Sequence, residues 1–141
     1  MKLRKHLTEA MESDNPHNVY GYDLVLDLES CDTSKFNRDG LRKYIIQLCD
    51  VIEMKRGPGP YFWDDHGLDA EQLEQEAPHL EGTSVIQFIE TSSIVIHTLV
   101  KLKKVFLDCF SCKTFDPKKA SEFTRKYFSG DITQSMFIER R

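Results

Sequence analysis

The chain has 141 residues, 40% apolar and 30% charged, with a net charge of -4, which suits one ordinary globular domain with a real core. No single-sign charge run is long, which argues against a nucleic acid or an anionic membrane as partner. No apolar run reaches membrane-spanning length, and the N-terminus is basic without the apolar stretch of a secretory signal. The expected location is therefore the cytoplasm. Cys31, Cys49, Cys109 and Cys112 are expected there as free thiols. "CFSC" has the CxxC spacing, but no second ligand pair for zinc accompanies it, and it ends a strand-like run instead of opening a helix.

Along the chain, residues up to about 19 look like a polar leader or short helix. "YGYDLVLDLESCD" follows as a strand, and Asp32-Thr33-Ser34 as a turn that could cap a helix. Phe36, Leu41, Tyr44, Ile45, Leu48, Val51 and Ile52 recur at helical spacing, with the helix expected from near Asp39. Gly57, Pro58, Gly59 and Pro60 break regular structure, so residues 55–81 are expected as a loop. Within it Tyr61, Phe62 and Trp63 precede Asp64, Asp65 and His66. These aromatics either plug the core edge or contact a ligand. Three adjacent residues converge poorly on one ion, so no metal is expected.

From Thr83 onward the chain turns strand-like. "SVIQFIE", "SSIVIHT" and "VFLDCFSC" are short strand candidates, with "LVKLKK" as a turn. Asp116 caps a second helix with Pro117 in its first turn, Gly130 ends it, and "TQSMFIERR" supplies a last strand. Runs of strands with segregated helices predict an α+β fold: a two-layer α/β sandwich with a mainly antiparallel sheet and helices on one face, spanning 1–141 as a single domain.

Ser84, Ser92, Ser93, His97 and Cys112 are each unremarkable in a strand. A serine there commonly bonds a neighbour, and a cysteine packs as a small apolar residue. No GxSxG elbow or spaced acid suggests a serine hydrolase. Together, however, they resemble the prokaryotic S-adenosylmethionine decarboxylases, which process themselves to carry a pyruvoyl group. "SSIVIHT" matches that family's Ser…Ile-His-Thr register, "LDCFSC" its Asp-x-Phe-x-Cys strand, "GYDLVLDLESCD" its first strand and "DPKKASEF" its Asp-Pro-x-x-Ala helix. Ser84 lies eight residues before Ser92, and His97 and Cys112 lie five and twenty after it.

The resemblance implies a division of roles. Ser92 is the pyruvoyl precursor that later forms a Schiff base with the substrate amine. Ser92 Oγ attacks the Thr91 carbonyl, and His97 is the processing base. Cleavage between Thr91 and Ser92 gives chains 1–91 and 92–141. Cys112 is the proton donor in turnover, and Ser84 orients groups during processing. The cofactor is the pyruvoyl group alone, without metal or pyridoxal phosphate. A homodimer with active sites between protomers is implied, acting on a small amino-acid-type substrate for spermidine synthesis.

The chain departs from the family pattern at several points. Thr91 replaces the usual Glu, with Glu90 one place earlier, and Ser93 replaces a His, so a cut before Ser93 is the alternative. Leu99-Val100-Lys101 replaces Trp-Pro-Glu, and Pro78 and His79 stand where an adenine-stacking aromatic is usual. Tyr61, Phe62 and Trp63 are candidate replacements, with Glu90 a further candidate substrate contact. Arginine or ornithine as substrate, or an unprocessed regulatory paralogue, are the alternative readings.

Overall fold

The computed structural model describes residues 18–55, 60–67 and 80–141. The expected leader, Pro58, Pro78 and His79 lie outside them. Among the described residues six strands form one antiparallel sheet: β1 (Gly21–Glu29), β2 (Tyr61–His66), β3 (Gly82–Ile89), β4 (Ser92–Leu99), β5 (Lys104–Ser111) and β6 (Asp131–Arg140), in the order β2-β3-β4-β5-β1-β6. Among the described residues two helices, α1 (Arg38–Val51) and α2 (Pro117–Phe128), cover one face. The α+β sandwich read from the sequence is the fold observed.

Alternation decides which face each strand residue takes. Leu24, Leu26 and Leu28 of β1 join Ile94 and Ile96 of β4, Leu107 and Cys109 of β5, and Val85 and Ile89 of β3 under the helices. Leu41, Tyr44, Ile45 and Leu48 of α1 and Phe128 of α2 close that core. The Tyr44 ring lies 4.9 to 5.6 Å from those of Phe123, Tyr127 and Phe128. The opposite face is open among the described residues. It leaves Phe62, Phe88, Met136, Ile86 and Ile138 between 38% and 55% exposed.

Local chemistry sets the helix ends. Asn37, not Asp32, caps α1 by accepting from the Gly40 amide; Asp32 caps the short 3-10 turn Thr33–Lys35 instead. Asp116 accepts from Lys118 and Lys119 to start α2, as expected. Its left-handed C-cap is Ser129 at φ 50°, whereas the sequence suggests Gly130. Gly130 serves a close approach: a Cβ there would lie 2.5 Å from Cys31 Sγ.

The expected 55–81 loop contains β2, an edge strand. Its two faces are both partly exposed, so it lacks the apolar alternation that marks β1, β4 and β5. Arg38 and Asp65 tie it to α1 through contacts of 2.7 Å from Nε and 2.5 Å from Nη2.

A buried hydroxyl pair clamps the helices together. Thr124 Oγ1 donates to Ala120 O at 2.7 Å and so accepts from Tyr44 OH, also at 2.7 Å. Tyr44→Phe leaves Thr124 bonded and should cost about 1 kcal/mol, whereas Thr124→Val orphans a buried phenol and should cost about 1–3 kcal/mol. Urea unfolding of the two variants checks the order; the reverse ranking would refute this hydrogen-bond direction.

Candidate active site

Ser92 opens β4, directly after the two-residue turn Glu90-Thr91 that joins it to β3. Its side chain is 4% exposed and points to the helix-covered face. The Cys112 amide, just past the end of β5, donates to Ser92 Oγ at 3.1 Å. The β4–β5 register creates this meeting of residues twenty apart. A small cavity lined by Met54, Lys55, Glu90, Ser92, Ser111 and Cys112 lies there. Cys112 is half-buried, whereas Cys109, on the core face of β5, is buried and its thiol pushed far up by desolvation.

Glu90 sits in the turn at φ 52°, a left-handed conformation that strains a side-chain-bearing residue. The strained residue lies one position before Thr91. Ser93 follows Ser92 on the other face, opposite Phe88 and Phe110.

Ser84 and His97 form a second cluster at the far end of the same hairpin. They are direct cross-strand partners on the open face, with Ser84 Oγ 2.8 Å from His97 Nδ1. His66 of β2 joins them, its Nε2 3.0 Å from Ser84 Oγ and its Nδ1 bonded to Leu80 O. The sequence reading considers His66 only as a metal ligand. Its bond to Ser84 arises from the pairing of β2 with β3, which spacing does not reveal.

Four of the five candidates thus fall into two groups, Ser92 with Cys112 and Ser84 with His97, and Ser93 joins neither. Five residues of strand separate Ser92 from His97, roughly 16 Å along β4, and the odd offset puts them on opposite faces. One protomer does not bring His97 to Ser92.

The aromatics of β2 divide as well. Tyr61 and Trp63 stack at 5.7 Å on the helix side, with the Arg42 guanidinium 5.6 and 5.4 Å from their centroids. Phe62 faces the open side, 55% exposed, edge-on to Phe88 at 6.0 Å. Among the described residues no cluster of three His, Cys, Asp or Glu could hold a metal, and no helix is long and apolar enough to cross a membrane.

The sequence matches the profile described as S-adenosylmethionine decarboxylase over residues 22–141. The chain belongs to the S-adenosylmethionine decarboxylase family. No curated protein matches it in sequence. Among solved structures it is similar to the adenosylmethionine decarboxylase from Aquifex aeolicus VF5. The TM-score is 0.64 at 16% identity, over 86% of this chain and 91% of that one. At that identity the likeness concerns the fold. Both strand hairpins that carry the candidate residues lie inside the matched stretch of this decarboxylase-family chain.

The open face also carries charge. Arg140 Nη1 donates to Asp23 Oδ2 at 3.1 Å, while the buried Asp23 Oδ1 has no fixed donor. A proton on Asp108 is the donor available to that carboxylate. Partial burial, then the hydrogen bond and charge of Asp23, raise the Asp108 carboxyl to about 6, against a lowering by Arg140. This folded value lies above the ordinary carboxylate range of about 4. The group's stabilising contribution is therefore fully present below about pH 4 and is lost as pH rises through about 6. Asp108→Asn should raise the Tm at about pH 8 and change it little near pH 4. An equal gap at both pH values in thermal melts would argue against the shared proton.

Proposed function

We propose that this chain is a pyruvoyl-dependent S-adenosylmethionine decarboxylase that makes its own cofactor by cutting Thr91–Ser92. The observation that carries this reading is the meeting of Ser92 with Cys112 at the end of β4. A buried hydroxyl beside a strained turn receives an amide hydrogen bond, with a half-buried thiol on the same residue. These residues fit a small carbonyl group formed at position 92. The Cys112 amide that now serves Ser92 Oγ supplies a donor, and the adjoining cavity supplies space.

In processing, Ser92 Oγ attacks the Thr91 carbonyl carbon, and the Ser92 nitrogen leaves it and takes up a proton. An ester links the two halves. A base then removes the Ser92 α-proton, and elimination frees Thr91 as a carboxylate. The unsaturated residue left at position 92 adds water and loses ammonia, leaving the pyruvoyl group. That group supplies an electron sink when a substrate loses carbon dioxide. In turnover Cys112 returns a proton to the substrate carbon, as a thiol acting as general acid can. Glu90 is an acidic residue lining the cavity and is a candidate contact for a cationic group of the substrate. Phe62 is the one β2 aromatic left largely exposed for stacking.

His97 is the processing base, and it acts on the other copy of the chain. Two observations support this: its roughly 16 Å offset from Ser92, and the apolar open face, which two sheets could cover against each other at about 10 Å. Homodimerisation through the open faces would carry His97 and Ser84 of one protomer toward the end of the partner's β3–β4 hairpin, where Thr91–Ser92 would be reached past the hairpin turn and not through the sheet. The soluble composition fits a cytoplasmic enzyme of polyamine synthesis.

Intact mass tests the cofactor. Chains 1–91 and 92–141, with residue 92 converted, are expected; one full-length species after long incubation would leave the regulatory-paralogue reading. Release of labelled carbon dioxide from S-adenosylmethionine is expected, and release from arginine or ornithine alone would reassign the substrate. Ser92→Ala should stay whole; a cut surviving in it would point to Ser93. Cys112→Ser should cut itself but lose roughly 10²-fold or more in kcat.

Trans action has its own test. Ser92→Ala and His97→Ala chains are each expected to stay uncut alone. Co-expressed, they should yield cut His97→Ala chains. Absence of cutting in co-purified mixed dimers would place the base in cis.

A further inference from the structure

The geometry points to His66 as a positioning residue that sets the tautomer of His97 through Ser84. The inference rests on His97 being the processing base proposed above. The argument follows protons along the hydrogen bonds. A backbone carbonyl only accepts, so the Nδ1 bonded to Leu80 O carries the His66 proton. A neutral imidazole has one N–H, so His66 Nε2 is an acceptor. Ser84 Oγ, 3.0 Å away, therefore donates to it. A serine has one proton, so the same Oγ accepts on its other side. His97 Nδ1, 2.8 Å from Ser84 Oγ, must then be the donor. That leaves Nε2 of His97 without a proton and free to take one.

The pieces are held in place from three strands. Ser84 is 7% exposed between its two histidine partners. His66 is paired with Gly82 across β2 and β3, and a Cβ on Gly82 would lie 3.0 Å from His66 Cε1 and 1.8 Å from Thr98 O. The glycine leaves room for the ring. Without His66, Ser84 could turn its proton toward His97 Nδ1 and move the His97 proton onto Nε2, where it would block the base. The hydrogen bond on one ring nitrogen sets the state of the other.

Three substitutions separate this role from simple packing. Glutamine at position 66 offers Ser84 an acceptor, leucine offers nothing, and lysine offers only donors. The full-length chain with Ser92→Ala stays whole and lets the His97 ring be read by nitrogen-15 NMR above the titration range of imidazole. His97 is expected as the Nδ1–H form with His66 or His66→Gln. It should shift toward Nε2–H in His66→Leu and adopt Nε2–H in His66→Lys. In the cleavable chain, processing should slow in the same order, by roughly three- to tenfold for His66→Leu. Comparable Tm values would confirm that folding is intact. An Nε2–H form of His97 with His66 present overturns the inference. So does a His97 tautomer or cleavage rate indifferent to all three changes. A correct tautomer in a chain that never cuts would instead sink the proposed function and leave the relay standing.

Discussion

Extended chain is stiff, and β4 imposes that stiffness on Ser92 and His97. Its rise separates Ser92 from His97, and its alternation turns them to opposite faces. The hairpin with β3 extends the division, because Ile89 pairs with Ser92 at one end and Ser84 with His97 at the other. Neither side-chain rotation nor a change in the Glu90-Thr91 turn would close such a gap while the ladder holds. On the proposed reading, a protomer would carry two half-sites. A two-fold assembly is the economical completion, since an isologous interface makes each copy supply what the other lacks.

The electrostatics of the open face suit such a covering. Below about pH 6, where Asp108 keeps its proton, the Asp23–Asp108 pair faces the Arg140 guanidinium as a neutral set. A neutral set of this kind tolerates burial between sheets far better than one carrying an unpaired carboxylate. The apolar rows around it, with Ile86 next to Val95 and Met136 next to Val25, supply the area. Antiparallel sheets commonly leave one face to water, but such a face is normally polar. Here Phe62 and Phe88 stand about half uncovered, and Ile138 more than a third.

Much of this was legible in the sequence because spacing and alternation are one-dimensional. The β1, β4 and β5 cores, the α1 stripe and the Asp116-Pro117 helix start all follow from local patterns. So do the offsets linking Ser84, Ser92, His97 and Cys112. β2 was not legible, since Gly57 to Pro60 announce a loop and its edge position removes the apolar alternation. Left-handed Ser129 was hidden by Gly130, which looks like the helix terminator but is required by the Cys31 sulfur. The division of the site and the bond from His66 to Ser84 depend on register and on pairing between distant strands. Neither quantity is written in any local stretch.

The same topology bears on what a cut at Thr91–Ser92 would do. Chain 1–91 would keep β1, α1, β2 and β3; chain 92–141 would keep β4, β5, α2 and β6. In the sheet these do not separate into two blocks, because β1 lies between β5 and β6. Three ladders, β3–β4, β5–β1 and β1–β6, would join the pieces, and Tyr44 would still meet Phe128 across them. Separation would therefore require unfolding. The turn itself loses little by opening, since the left-handed Glu90 costs roughly 1–2 kcal/mol to hold and a free end would release it. A covalent bond placed there contributes little to the fold, so at this hairpin end a protein could sacrifice one of its own peptide links and stay assembled.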